Sequence, residues 1–253
     1  RGTEGGGCAS LPFGGDGRGM LSSLALCGGE GGPSVVSAGM DDGRIIFRDL
    51  RFVGGAAPLP DGELRFGRDP VLCMSMRSVG DGFRGVAGAA GDADEISSKP
   101  KRERGTVLIF HLKQHGLTSD HFRPCTVARH TTCSQSSGGR PGVSSCAVRG
   151  DGRVCAIGGW DRRVRIYDTK KGRPLAVLKC PDGAAALRGG LADLRETGKG
   201  SASAVDFADG WDSSFLVAGY GDGRACIWDL SDSSCPRIGY DGYSCTGNKT
   251  YRT

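Results

Sequence analysis

The stretch VSSCAVRGDGRVCAIGGWDRRVRIYDTKKGRPLAVLK, residues 143–179, decides the fold. Its short apolar or alternating runs, SCAVR, VCAIGGW, VRIYD and PLAVLK, are separated by the turn-forming segments GDGR, WDRR and TKKGR. Alternating runs of about five to seven residues that end in turn signals are typical of β-strands joined by hairpins. The stretch therefore predicts one antiparallel sheet of four strands, which we name a to d in chain order.

The same order of features recurs along the chain as an apolar run, a small-residue stretch, a turn and an alternating strand. The four copies span residues 34–50, 84–112, 154–169 and 215–230. A candidate inner strand precedes each copy, at 21–27, 71–77, 143–149 and 201–208, and outer strands are predicted at 62–67, 124–130 and 174–180. The fourth copy shows no outer strand. The chain is therefore predicted to be all-β.

Aligned on their turns, the four copies share two columns at the end of strand c. The first column holds Arg48, Phe110, Tyr167 and Trp228, and the second holds Asp49, His111, Asp168 and Asp229. Six residues before the first column, three copies have an aspartate that can accept backbone N–H groups of a tight turn, namely Asp42, Asp161 and Asp222. This pattern resembles the WD40 β-propeller superfamily, whose blades carry Trp-Asp in these columns.

Longer segments are similar to the ASTRA-associated, Gβ-subunit-like family, over roughly residues 20–230. GGWDRRVRIYDTKKGRPLAVLK (158–179), AVDFADG (204–210) and LVAGYGDGRACIWDL (216–230) resemble its last two blades in order, whereas SAGMDDGRIIFRDL (37–50) and DPVLCMSM (69–76) resemble middle blades. The resemblance implies a seven-bladed propeller of which this chain supplies about four blades. Because the chain begins with Arg1 and the fourth copy lacks an outer strand, we expect the natural protein to be longer.

The composition outside the repeats divides the chain further. Residues 1–19 are predicted to be a disordered glycine-rich lead-in and residues 231–253 a disordered polar tail, with blades at about 20–67, 71–130, 143–180 and 201–230. The 45 glycines predict long loops between the strands. The basic run Lys99, Lys101, Arg102 and Arg104 is interpreted as a solvated loop, with a nuclear-import signal or a contact with an acidic partner as the alternatives.

Charge and composition argue against several classes of protein. The net charge of +5 is spread along the chain without interleaved aromatic residues, so direct nucleic-acid binding is not expected. No apolar run approaches the ~20 residues of a membrane helix, and no targeting segment is recognisable. Several of the 11 cysteines lie inside strands, where a thiol behaves as a small hydrophobe. We therefore expect a soluble protein of the nucleus, the cytoplasm or both.

The sequence shows no catalytic constellation. It contains no recognisable nucleophile with a base, carboxylate pair or phosphate loop, so no enzymatic activity, cofactor or small-molecule substrate is expected. A metal site is a weaker hypothesis, based on zinc-type ligands whose spacing does not match a standard zinc finger. These ligands are His121, Cys125, His130 and Cys133. The alternative is an outer strand and loop with unrelated histidines and cysteines, in which alternation would point Cys125 and His130 to opposite faces.

Partner contact is predicted at the b–c turns, residues 40–44, 160–163 and 221–224. Trp160, Arg162 and Arg163 are of the residue types enriched in binding hot spots, although Trp160 could instead cap the neighbouring blade. Asp42, Asp161 and Asp222 are interpreted as structural.

The family resemblance implies a non-catalytic scaffold in a multi-subunit complex. Such a scaffold would act with Tel2-type co-chaperone components in the assembly of phosphatidylinositol-3-kinase-related kinases and in chromatin remodelling. Two alternatives remain open. Arg48-Asp49-Leu50-Arg51 resembles the Asp-x-Arg box of substrate receptors for cullin-type ubiquitin ligases, in which Arg51 would contact the adaptor. A Gβ-like signalling scaffold is the other.

Overall fold

A computed structural model describes residues 19–28, 35–50, 62–80, 82–89, 105–114, 122–132, 142–179, 201–208 and 214–231. These residues form fifteen β-strands. The strands are β1 (Leu21–Cys27), β2 (Val35–Met40), β3 (Arg44–Asp49), β4 (Gly62–Arg65), β5 (Val71–Val79), β6 (Gly82–Ala89), β7 (Gly105–Gln114), β8 (Phe122–Thr132), β9 (Val143–Val148), β10 (Val154–Gly159), β11 (Arg163–Asp168), β12 (Pro174–Lys179), β13 (Ala202–Phe207), β14 (Phe215–Tyr220) and β15 (Ala225–Asp229). Within these ranges there is no helix long and apolar enough to cross a membrane.

The strands form four antiparallel sheets in chain order, β1–β4, β5–β8, β9–β12 and β13–β15, which we call blades 1 to 4. Each sheet is an up-and-down meander, and the described part of blade 4 contains three strands. Consecutive blades contact each other through their first strands, β1 with β5, β5 with β9 and β9 with β13. Successive four-stranded meanders that pack in this way are the blades of a β-propeller. The prediction of an all-β propeller is therefore confirmed.

Three apolar layers lie between the blades. Phe47 of blade 1 meets Phe110 of blade 2 with ring centroids 5.4 Å apart. Ile109 and Tyr167 are buried between blades 2 and 3, and Trp228 of blade 4 is buried in the layer shared with blade 3. Burying each of these large side chains contributes about 1.5 to 3 kcal/mol. Packing between blades is therefore a major source of stability.

The first column of the repeat alignment, where WD40 repeats have tryptophan, has the same strand pairing in all four blades. Each member pairs with a residue that lies three positions before a glycine of strand b. The pairs are Arg48 with Val36, Phe110 with Gly85, Tyr167 with Cys155, and Trp228 with Leu216. All four column residues are buried. The repeat alignment made on sequence thus coincides with the strand register.

Each first strand carries one β-bulge at the same place. The strand register shifts between Leu21 and Ser23, and equivalent shifts occur at Ser144 and in the other two blades. Opposite the residue that follows the bulge lies a glycine of strand b in every blade. These glycines are Gly39, Gly88, Gly158 and Gly219.

At three of these glycines, the next blade occupies the space that a side chain would need. A Cβ atom would lie 2.7 Å from Val71 Cγ1 at Gly39 and 2.7 Å from Val143 Cβ at Gly88, and at Gly158 it would overlap the carbonyl oxygen of Ala202. We call Gly39, Gly88 and Gly158 the seat glycines. At Gly219 the nearest heavy atom, Ala204 Cβ, is 3.9 Å away. The seat glycines therefore set how closely one blade approaches the next.

Serine side chains connect the first strands of neighbouring blades. Ser22 Oγ donates to the carbonyl oxygen of Val71 at 2.8 Å, and Ser144 Oγ donates to that of Ala202. Ser75 and Ser145 act in the opposite sense, because their hydroxyl oxygens accept the N–H groups of Val148 and Val205, each at 3.0 Å. The blade interfaces are thus fixed by directional bonds as well as by apolar packing.

Tyr167 makes the stability of the blade 2–3 interface sensitive to alkali. Its ring lies 4.7 Å from that of His130, and burial raises the pKa of its phenol from 10.0 to about 12. Because the unfolded phenol ionises at the lower pH, the stabilising contribution is complete below pH 10.0 and is lost as the pH rises towards about 12. We expect Tyr167→Phe to lose less stability than the parent between pH 9 and 11, measured by urea unfolding. Parallel losses in both proteins would contradict this assignment.

Candidate functional site

The described b–c turns lie together at one end of the blades because successive strands alternate in direction. Each turn rests on the start of the first strand of its own blade. The N–H of Asp41 donates to Met20 O at 2.9 Å, and equivalent bonds of 3.0 Å join Trp160 to Gly142 and Gly221 to Ser201. The turns therefore form a repeated surface on a rigid base.

The three turn aspartates have the same local geometry. The Oδ1 atoms of Asp42, Asp161 and Asp222 accept the N–H of the residue two positions on, at 3.2, 3.3 and 3.2 Å. In two turns, the arginine at that position also donates to the carboxylate, with Arg44 Nε 2.7 Å from Asp42 Oδ2. The hydrogen bond from Arg224, opposed by burial, lowers the pKa of Asp222. These carboxylates are thus engaged in holding the turns.

Blade 3 departs from this arrangement. There Arg165, four residues after Asp161, makes the paired contact, with Nη1 3.0 Å from Oδ1 and Nη2 2.5 Å from Oδ2. The side chains of Asp161 and Arg165 are only 9% and 11% exposed. Arg163 is consequently left 4.0 Å from Asp161 Oδ2, and its side chain is 37% exposed. Because Arg165 pairs with Asp161 in this blade, the side chain of Arg163 can contact a partner at the surface.

Arg162 has an unusual backbone. It has a φ of 65° and is the one non-glycine residue with positive φ in the part of the chain that the structure describes. The equivalent positions in the other turns are Gly43 and Gly223, with φ of 80° and 82°. A side chain in this left-handed region costs about 1 kcal/mol. The guanidinium of Arg162 reaches towards blade 4, where its Nη2 lies 3.5 Å from Asp222 Oδ2.

Trp160 covers the start of its own blade. A Cβ atom on Gly142 would lie 2.7 Å from the indole Cε2, so the ring lies directly on this glycine. Gly142 immediately precedes β9, and the contact therefore belongs to blade 3, whereas the sequence had left open a capping role on the neighbouring blade. The tryptophan remains partly exposed. Trp160, Arg162 and Arg163 all belong to the b–c turn of residues 160–163, which we call the blade-3 turn.

The aspartates of the second WD40 column lie at the end of strand c, where Asp168 closes the c–d turn of blade 3. Asp168 Oδ1 accepts the N–H groups of Lys170 and Lys171 at 2.8 and 3.0 Å, and Asp229 Oδ1 accepts that of Ser231 at 2.9 Å. Asp49 is fully buried. These aspartates therefore stabilise the fold, by accepting backbone N–H groups or by lying buried within it.

The hypothetical zinc ligands are only partly described. His121 and Cys133 lie outside the described residues, as do Arg51 and the basic run from Lys99 to Arg104. On β8, a bulge near Val127 places Cys125 and His130 opposite His111 and Val107, on the same face, which differs from the simple alternation expected. They are nevertheless roughly 14 Å apart along the strand, and His130 Nε2 bonds to Gly172 O. The described ranges contain no group of three or more metal-ligating side chains.

Parts of the chain are similar in sequence to fungal proteins named ASTRA-associated protein 1. No family model matches it. It is 34% identical over 106 residues to ASTRA-associated protein 1 of Verticillium alfalfae, a match that spans 35% of this chain and 26% of that protein. A segment of 38 residues is 55% identical to ASTRA-associated protein 1 of Aspergillus flavus, covering 15% of this chain and 9% of that protein. The chain is a β-propeller related over part of its length to ASTRA-associated protein 1.

The similarity to these ASTRA-associated relatives is partial, because the matched region spans about a quarter of their length or less. Among solved structures, the Dos1 propeller aligns with 85% of this chain and 45% of its own, at a TM-score of 0.49 and 15% identity.

Sequence reasoning missed the role of Arg165. The residue lies in an alternating strand, between Val164 and Ile166, and was counted simply as part of that strand. Its position four residues after Asp161 was the available signal, because a strand residue on the same face as the turn can reach back to the aspartate. The structure shows this ion pair directly.

Proposed function

We propose that the protein is a non-catalytic scaffold that holds partner proteins in a multi-subunit complex of the ASTRA type. The relationship to ASTRA-associated protein 1 supports the kind of complex, and the propeller supports binding through surface turns. The observation that carries the proposal is the left-handed backbone of Arg162. Glycine serves the turn without strain in blades 1 and 4, and the partly exposed ion pair of Arg162 with Asp222 contributes only about 0 to 1 kcal/mol, so we assign the arginine a further role in partner contact.

The proposed contact is made by the blade-3 turn. Trp160 offers a flat, partly exposed ring, and two arginines offer planar guanidinium groups that fit carboxylates of a partner. The side chains of Arg162 and Arg163, in the same turn, are 35% and 37% exposed. Tel2-type co-chaperone components are the proposed partners, and the nucleus or cytoplasm is the proposed location. The ubiquitin-ligase and Gβ-like alternatives gain no support from the described residues.

Replacing Arg162 with glycine separates binding from folding. We expect Arg162→Gly to keep the free energy of unfolding within about 1 kcal/mol of the parent, because relief of backbone strain offsets the loss of the partly exposed ion pair with Asp222. The same variant is expected to weaken binding of purified Tel2-type co-chaperone components about tenfold or more, since hot-spot arginines commonly contribute about 2 kcal/mol. Urea unfolding and titration calorimetry would measure the two effects.

Arg123→Ala is the matched control for this experiment. Arg123 is exposed on β8, away from the b–c turns, and its loss should leave partner affinity unchanged. Unchanged affinity in Arg162→Gly would exclude Arg162 from the contact. A cullin adaptor that binds the parent in place of the co-chaperones would favour the ubiquitin-ligase alternative.

A further inference from the structure

A cleft of about 1000 Å³ opens between blades 2 and 3, at the end opposite the b–c turns. Its walls come from the a–b turn and the c–d turn of blade 3 and from Val79 and Arg84 of blade 2. Among the described lining residues, five are basic and two are acidic, Asp151 and Asp168, which gives them a net formal charge of +3. The basic residues are Arg84, Arg149, Arg153, Lys170 and Arg173. We call this site the basic cleft.

The two acidic residues of the basic cleft are already engaged. Asp151 is held by Arg149 at 3.0 and 2.7 Å and accepts the N–H of Arg153 at 2.9 Å. Burial opposes the ionisation of Asp151, but these hydrogen bonds outweigh it and lower its pKa. Asp168 accepts two backbone N–H groups of its own turn and lies 3.7 Å from Arg173 Nε. A ligand in the cleft therefore meets mainly positive charge.

The floor of the basic cleft is held by hydrogen bonds between blades 2 and 3 and by others within blade 3. Arg84 Nη1 donates to Gly152 O at 3.3 Å, and the hydroxyl of Thr169 donates to the same oxygen. Thr169 N donates to Arg153 O at 3.0 Å, while His111 Nε2 donates to Thr169 O, also at 3.0 Å. A site whose backbone is fixed in advance loses less conformational entropy on binding.

The remaining lining residues indicate the class of ligand. Val79, Val154 and Leu175 add apolar surface, and Leu175 is 40% exposed. None of the described lining residues is aromatic, so the cleft offers no stacking platform for nucleic-acid bases. Positive charge beside an exposed leucine instead fits a peptide that carries carboxylates and an apolar side chain.

We propose that the basic cleft binds an acidic peptide segment of a partner protein. Carboxylates of the segment pair with Arg153, Lys170 and Arg173, and one apolar side chain packs on Leu175. The lysine and Arg173 are well placed for this, since Lys170 is exposed and the side chain of Arg173 is 62% exposed. This inference adds a second surface to the proposed scaffold and does not depend on contact at the blade-3 turn.

The test uses the full 253-residue chain and a fluorescein-labelled peptide of twelve residues, composed of Asp and Glu around one central leucine. Fluorescence anisotropy should show saturable binding that weakens as salt is raised. Arg153→Glu with Lys170→Glu is expected to weaken binding about tenfold or more. The control, Arg68→Glu with Lys179→Glu, changes the net charge equally at exposed positions at the opposite end and should remain within about twofold of the parent.

Three results would overturn the proposal. Equal weakening by the control pair would show attraction to overall charge rather than to the cleft. Tighter binding of single-stranded RNA than of the peptide, abolished by the cleft pair, would assign the site to nucleic acid. The double variant Arg153→Gln with Lys170→Gln is less disruptive to folding than the glutamate pair. If it bound the peptide as tightly as the parent, neither residue would contact the peptide. Because Arg162→Gly should leave peptide binding intact, failure here and failure of the proposed scaffold contact are distinguishable.

Discussion

Gly158→Ala should lower the free energy of unfolding by about 3 kcal/mol, because a core that is already filled resists even one added methyl group. The new Cβ would overlap the carbonyl oxygen of Ala202 and lie 3.2 Å from Val205 Cγ1. Both neighbours belong to the first strand of blade 4, so blades 3 and 4 would have to separate. Urea unfolding followed by tryptophan fluorescence would measure the loss.

Gly219→Ala is the matched control. Gly219 occupies the same position in blade 4, but the nearest heavy atom to its added Cβ is 3.9 Å away. Alanine is favoured over glycine inside a strand, so this variant should be unchanged or more stable by about 0.5 kcal/mol. Equal destabilisation at both positions would show that the strand, rather than the approach of the next blade, requires glycine.

Asp161→Ala is expected to cost about 3 kcal/mol, the usual effect of removing one member of a buried ion pair. The carboxylate accepts two hydrogen bonds from Arg165 and one from the N–H of Arg163. Its loss would deprive a guanidinium that is only 11% exposed of its carboxylate partner. Thermal and urea unfolding at pH 7 would measure this effect.

Two further variants test the reason for the loss. Asp42→Ala removes the equivalent residue of blade 1, but Asp42 is 39% exposed and the cost should be nearer 1 kcal/mol. Asp161→Ala combined with Arg165→Met should recover much of the stability, because an apolar side chain can replace a buried pair. A double variant as unstable as Asp161→Ala alone would show that the hydrogen bond to the turn backbone dominates.

Local chemistry made much of the fold predictable. Alternation and turn residues are short-range signals, and the segment 143–179 accordingly became β9 to β12 with bounds close to those expected. The column from Arg48 to Trp228 was alignable because an equal spacing from the turn aspartate becomes an equal register in each blade. The outer strand of blade 2 was also anticipated, although β8 is longer than residues 124–130.

Features that depend on two blades could not be predicted in the same way. Nothing near Gly158 in the sequence shows that Ala202 will cover it. The basic cleft likewise joins Arg84 to residues that follow it by more than 60 positions, and a charge spread evenly along the chain gave no sign of it. The bulge near Val127 altered the facing of Cys125 and His130, which strict alternation could not anticipate.

The antiparallel course of β11 has a consequence for assembly. The strand starts at Arg163 of the blade-3 turn and ends at Asp168 of the basic cleft. These residues are roughly 17 Å apart along a strand, so the two proposed surfaces lie at opposite ends of the blade. We therefore expect both proposed ligands to bind at the same time in one ternary complex, with β11 joining their two sites.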